Sequence, residues 1–319
     1  MATQSVMHRS AGLVGTILGA KSPLEKNQAL WGYFFLLPWL LGLIIFVIGP
    51  ILASAYFSVQ EYDVLSPPKF IGIENYVRAF TGDKQFWPSL QRTLSYSLQV
   101  VPIGIIGSLL LAMLLNQGFK GTSFFRTLFF LPSLTPAVAL ALVWTWILHP
   151  RLGPINAGLQ LFLGIDGPGW LTDKLWALHS LVMMGLWASV GGNSMLIFLA
   201  GLQGVPQELL EAAEIDGAGP WSRFWNVTLP MISPTLLFNL ILGVIGALKV
   251  FTLAFVATNG GPSFSTWFYA LHIYNQAFAY FRMGYASALA WIFVIILMAF
   301  TYFQLQISRR WVYYAGDNS

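Results

Sequence analysis

Long apolar runs separated by short polar segments pattern this chain of 319 residues. Crossing a bilayer as a helix takes about 20 mostly apolar residues. Six stretches reach that length: roughly 30–58, 93–115, 125–148, 175–202, 231–257 and 284–307. Away from their ends, His179 and Lys249 are the readily ionisable groups inside them. The pattern predicts an all-α, polytopic membrane protein of six transmembrane helices. One polar island interrupts it at residues 205–230, where four of the chain's twelve acidic residues fall within nine positions. Pro206 suits the first turn of a helix, and Gln207 to Ile215 is rich in helix formers. Asp216-Gly217-Ala218-Gly219-Pro220 then stops the helix, because Gly accepts left-handed backbone and Pro cannot continue it. A second segment, Trp221 to Leu229, follows. Glu208, Glu211 and Glu214 recur every three residues and share a polar side, while Leu210, Ala213 and Gly217 fall on a neighbouring small, apolar one. Such a surface fits a partner's groove.

Composition supports the same class. Hydrophobic residues are 56% of the chain and charged ones 9%, against about 45–50% and 25% in soluble domains. The mean hydropathy of +0.67 agrees. Trp31, Trp87, Trp144, Trp146, Trp170, Trp176, Trp267 and Trp311 lie near candidate span ends, as interfacial anchors or as packing aromatics. No cysteine is present, which excludes disulfides, thiol redox catalysis and thiolate metal sites. His8, His149, His179 and His272 show no ligand spacing, so no metal site is expected. His8-Arg9 followed by AGLVGTILGA imitates a signal peptide, but the first strong span begins near Leu30 and is long enough to insert the chain itself. The expected organisation is a cytosolic tail over 1–29, a membrane domain over 30–308 and a cytosolic tail over 309–319. Gly15 to Ser22 stops one residue short of a phosphate-binding loop, since Ala20 replaces the required Gly and no βαβ context surrounds it. No nucleotide-binding motif is then left in the chain.

The island reads Glu211-Ala212-Ala213, Gly217, Val227 and Leu229-Pro230, with Asp216-Gly217-Ala218 included. In that order and spacing it resembles the signature loop of the membrane subunits of bacterial ABC importers. An ordinary cytosolic amphipathic loop would not need Gly217 and Leu-Pro at these distances. Phe70-Ile71-Gly72-Ile73-Glu74-Asn75-Tyr76, Gly201-Leu202-Gln203 before Pro206, and Thr258-Asn259-Gly260-Gly261-Pro262 with Gly284-Tyr285-Ala286-Ser287-Ala288 extend the resemblance. They resemble the carbohydrate-uptake permeases, the maltose- and glycerol-phosphate-transporter-like group, from about residue 31 onward. Thr252 departs from that group's pattern, which often has Asp there.

The resemblance implies the type I ABC importer permease fold, in the bacterial cytoplasmic (inner) membrane with both termini cytosolic. With eight cations in the inner segments and seven in the outer ones, charge barely decides the orientation. It also implies a permease subunit of an ATP-driven, binding-protein-dependent sugar importer, with loop 203–230 coupling to a separate ATPase. The implied partners are a second permease, two ATP-binding subunits and an extracytoplasmic solute-binding protein. No cofactor is expected in this chain, with ATP and Mg on the ATPase, and no nucleic acid is expected. The candidate coupling residues are Glu208, Leu210, Glu211, Ala212, Ala213, Asp216, Gly217 and Ala218; plain solvation is the other reading for Glu208 and Glu214.

Within the spans, polar groups are costly and so mark candidate function. Trp187, Gly191, Gly192 and Asn193 supply an aromatic platform, backbone access and an amide of the kind sugars use, although paired glycines also serve helix packing. Lys249 and Thr252 complete the candidate solute path, with Lys249 alternatively snorkelling to an interface. A secondary transporter of small polar solutes is the competing class, but it would show intramembrane acids for ion coupling, and none lies in any of the six stretches. A membrane-embedded enzyme would need a catalytic constellation, and none is visible.

Overall fold

The computed structural model describes residues 23–313. The expected tail up to residue 22, with its signal-like and phosphate-loop-like runs, and residues 314–319 lie outside the described residues. The described residues divide into two compact units, split between Phe57 and Ser58.

In the first unit, α1 (Pro23–Leu43) passes through a widened π turn at Ile44–Ile48 into α2 (Gly49–Ser58). The wide turn has a local cause. Pro50 has no N–H to donate, and the Gly49 N–H reaches back to the Ile44 carbonyl. Phe34, Phe35, Leu36 and Leu37, successive positions about 100° apart, are all exposed, so the helix is apolar around its circumference, as a membrane segment should be.

The second unit opens with a two-stranded antiparallel ribbon, β1 (Gln60–Glu61) and β2 (Lys69–Phe70), in which Glu61 faces Lys69. After α3 (Glu74–Val77) comes the long central helix α4 (Phe86–Asn116). It begins at Phe86 rather than near residue 93, because Pro88 occupies the first turn, where a missing N–H does no harm. Thr93, Tyr96, Val100, Gly104, Ser108, Ala112 and Leu115 are buried on one face at helical spacing.

The third and fourth spans, expected as single helices, are each bent pairs. α5 (Thr122–Leu134) and α6 (Ala137–Ile147) meet at 97°. Thr135 precedes Pro136 and is driven out of the helical region to φ −75°, ψ 128°. Beyond α7 (Pro154–Leu163), α8 (Ala177–Ser189) and α9 (Gly192–Gln203) meet at 45°. There Gly191 adopts φ −94°, ψ −133°. A Cβ on it would stand 2.1 Å from the Phe129 carbonyl oxygen, so α5 and the break approach as closely as backbone allows.

The polar island follows as α10 (Gln207–Ile215), α11 (Pro220–Arg223) and α12 (Leu229–Met231). The fifth span, Ser233–Ala257, is interrupted: α13 (Ser233–Leu248) ends before Lys249 and α14 (Thr252–Ala257) resumes after it. A short α15 (Tyr269–Tyr274) precedes the last span, α16 (Met283–Ser308). Counting each bent pair once, the described residues supply six spans.

Candidate functional site

Local sequence explains the shape of the island. Pro206, extended at φ −60°, ψ 128°, caps the start of α10. At the other end Gly217 takes φ +80°, a left-handed conformation that costs other residues about 1 kcal/mol or more. Its N–H donates to the Glu214 carbonyl at 3.0 Å, and the Ala218 N–H donates to Ala213 at 2.9 Å, which closes the last carbonyls of the helix. Pro220 then opens α11 in a position where its ring is harmless.

Leu210 turns inward. With Phe224 and Leu229 it packs on a buried cluster in which Leu109, Ala112 and Leu115 of α4 meet Met195, Phe198 and Leu202 of α9. Ala213 and Ala218 are half-buried, whereas Glu208, Glu211, Ala212, Asp216 and Gly217 face outward. Glu214 accepts a 2.6 Å bond from Arg223 and so bridges α10 to α11 across the turn. Sequence reading left that glutamate either coupling or solvated; two opposite charges flanking a Gly-Pro stop were the available signal. It also passed over Ile215 and Trp221, which are 87% and 71% exposed beside the turn. Large apolar groups held out in this way mark a contact surface.

Above this cluster, a cavity of about 370 Å³ lies between α4, α8–α9 and α13–α14. Tyr96, Ser189, Ser194, Asn239 and Thr252 give it polar points on an otherwise apolar wall. Of the six expected solute-path residues, Thr252 alone lines it. Trp187 and Gly191 line a separate, larger and apolar cavity of about 1080 Å³, where Trp187 packs edge-on against Trp144 at 6.0 Å. Gly192 is buried against Ser133, and Asn193 is exposed. Lys249 is exposed at the break between α13 and α14. The structure therefore does not gather the six into one site. Asn239, an intramembrane amide, was the legible member that sequence reading missed.

A buried polar network forms at the other end of α4, roughly 45 Å from α10 by helical rise. Asp83 Oδ2 accepts bonds from His272 Nε2 at 2.8 Å and from the Tyr285 hydroxyl at 2.6 Å, and Asp83 Oδ1 accepts from the Gln85 N–H at 2.8 Å. His272 Nδ1 accepts from Trp267 Nε1 at 3.1 Å, which leaves Nε2 as the protonated nitrogen facing the carboxylate. Burial pushes the Asp83 carboxyl up, but the bonds from His272, Tyr285 and Gln85 outweigh it and hold the group well below the usual carboxylate range.

Residues 104–313 match the family model described as "Binding-protein-dependent transport system inner membrane component". The chain is 41% identical over 298 residues to the probable ABC transporter permease protein YesP of Bacillus subtilis, covering 92% of this chain and 95% of that protein. It is 33% identical over 292 residues to the trehalose/maltose transport system permease protein MalF of Thermococcus litoralis, covering 90% and 97%. Among solved structures, a bacterial alginate ABC transporter crystallised with an alginate pentasaccharide-bound periplasmic protein superposes with a TM-score of 0.79 at 23% identity, covering 89% of this chain and 96% of that one.

Proposed function

Because the chain belongs to the binding-protein-dependent transport system inner membrane component family, we propose that it is one permease subunit of an ATP-driven sugar importer whose ATP hydrolysis takes place on separate subunits. The observation that carries the reading is the seating of the Gly217-capped helix α10, through Leu210, on the junction of α4 and α9. A cytosolic ATPase that grips α10 moves both of those helices, and both line the cavity containing Thr252. Glu208, Glu211, Asp216 and the exposed Ile215 form the face offered to it, while Arg223 fixes the angle between α10 and α11. The loop 203–230 is then cytosolic, and six spans return both termini to the cytosol. ATP and Mg belong to two ATPase subunits, and a second permease completes the pore.

The solute-facing wall in this reading is the cavity of Tyr96, Ser189, Ser194, Asn239 and Thr252, whose hydroxyls and amide suit sugar hydroxyls. Lys249 lies at the helix break beside it, with Asn193 exposed at the start of α9. Trp187, Gly191 and Gly192 support the wall by packing α8 and α9 on α5 and α6. An extracytoplasmic binding protein delivers the sugar at the Asp83 end.

The test is to purify the chain with its partner permease and ATPase and measure ATP hydrolysis with and without loaded binding protein. Stimulation is expected for the wild type. Gly217→Ala should retain most of it, since an added Cβ meets nothing within 4 Å and only backbone strain of about 1 kcal/mol results. Gly217→Arg should lose both stimulation and stable association with the ATPase. Full stimulation of the Gly217→Arg complex would sink the coupling assignment.

A further inference from the structure

A polar pocket of about 340 Å³ lies apart from the cavities above, at the Asp83 end of the second unit. Two guanidinium groups open into it. Arg78 lies 4.7 Å over the centroid of the Tyr285 ring, and Arg282 lies 5.8 Å over that of Tyr280. Among the described residues neither has a carboxylate within ion-pair distance. Of the acids lining the pocket, Asp63 accepts bonds from the Leu65 and Ser66 N–H groups and the Ser66 hydroxyl, and Glu61 stands opposite Lys69 in the ribbon register. With Lys69 the lining holds three cations against these two carboxylates, so it is net positive. Two stacked guanidinium forks without a carboxylate partner, both exposed at the rim of one pocket, suit an oxyanion with two or more oxygens to share.

The position of the pocket says where that anion comes from. Arg282 is the residue just before α16, whose 26 residues rise roughly 39 Å against a hydrocarbon thickness of about 30 Å. The first turn of α16 therefore stands at the level of lipid headgroups. Tyr280, 52% exposed, flanks it as interfacial aromatics do, and Phe281, 55% exposed, offers an apolar surface next to Arg282. We propose that this pocket binds the phosphodiester headgroup of one phospholipid, held between Arg78 and Arg282 with its acyl chains running down past Phe281. Because Tyr285 also donates to Asp83, the bound headgroup braces the buried network linking Asp83, His272 and α16.

The experiment uses the complete transporter, purified in mild detergent, with native mass spectrometry to count retained phospholipid and thermal unfolding to follow added lipid. The wild type should retain one phospholipid per copy of this chain, and phosphatidylglycerol should raise its melting temperature more than an uncharged glycosyl diacylglycerol does. Arg78→Gln with Arg282→Gln should lower retention at least tenfold and abolish that difference. Arg78→Lys with Arg282→Lys, which keeps the charges but not the forks, should retain an intermediate amount, and it serves if the Gln variant fails to assemble. Equal retention by wild type and variants overturns the proposal. So does equal stabilisation by inorganic phosphate, which would make the pocket a site for a free anion. Unchanged lipid retention with weakened binding-protein affinity would assign the arginines to an acidic group on that protein. The readout is independent of transport, so its failure is separable from failure of the importer reading, on which the proposal rests only for the presence of a membrane.

Discussion

Asp83 carries more of the fold than its place in a loop suggests. Its carboxylate is the common acceptor for groups from α15 and α16, and its pKa is depressed below the ordinary 3.8. A group whose folded pKa is depressed contributes stability that is complete above the unfolded value and is lost as pH falls through the folded one. Asp83→Asn should therefore destabilise the protein at pH 7 by about 1.5–3 kcal/mol, the scale of a hydrogen bond to a charged group. The gap between variant and wild type should close only well under pH 3.8. Unfolding in detergent at several pH values measures this, and equal stability at pH 7 refutes it. Lys249 makes a different argument. An ammonium facing lipid at mid-span costs about 2.5–3.5 kcal/mol on insertion scales, yet the helix breaks at this residue and leaves it exposed. Lys249→Met should preserve insertion and abundance while lowering uptake. Uptake equal to wild type would remove Lys249 from the solute path and leave it as a snorkelling side chain.

Apolar run length and stop signals made the elements legible, and the same signals hid how they bend. α10 was readable residue by residue, because Pro206, a run of helix formers and Gly217 all act locally. Run length located all six spans, since nothing but burial in lipid requires such lengths. It could not show the 97° and 45° bends, because an apolar run reads the same whether straight or broken. Pro136 and Gly191-Gly192 were visible markers, but Pro38 and Pro102 sit inside helices that continue through them. Whether a break forms is decided by what packs against it. Gly191 is the sharpest case: Gly191→Ala sets a methyl carbon 2.1 Å from the Phe129 carbonyl oxygen, and backbone on both sides must move. Overpacking of this kind costs typically about 1–3 kcal/mol. We expect lower abundance and a lower melting temperature, with Asn193→Ala, an exposed neighbour, as the control that changes neither. The candidate solute path was the least legible part. Trp187 and Thr252 were grouped by residue type, but they line different cavities, and which face of a span meets which neighbour is a long-range property.

At the scale of the molecule, three apolar clusters distribute the packing of the second unit along α4. One, with Leu109 and Leu115, carries the α10 loop; one, with Val100 and Leu181, surrounds the Thr252 cavity; one, with Phe86 and Leu289, holds the Asp83 end. The α10 loop and the polar pocket thus lie at opposite ends of a shared helix, so a load applied at Leu210 has a continuous packed route toward the far side. The links from Asp83 to His272 and Tyr285 also close long loops, across 189 and 202 positions of sequence. During synthesis at about 5–20 residues per second, those separations leave the carboxylate waiting roughly 10–40 s for these partners to emerge. Until α15 and α16 arrive, Asp83 has the neighbouring Gln85 N–H but neither the His272 nor the Tyr285 donor, so a nascent chain stalled after the fifth span leaves this network unfinished.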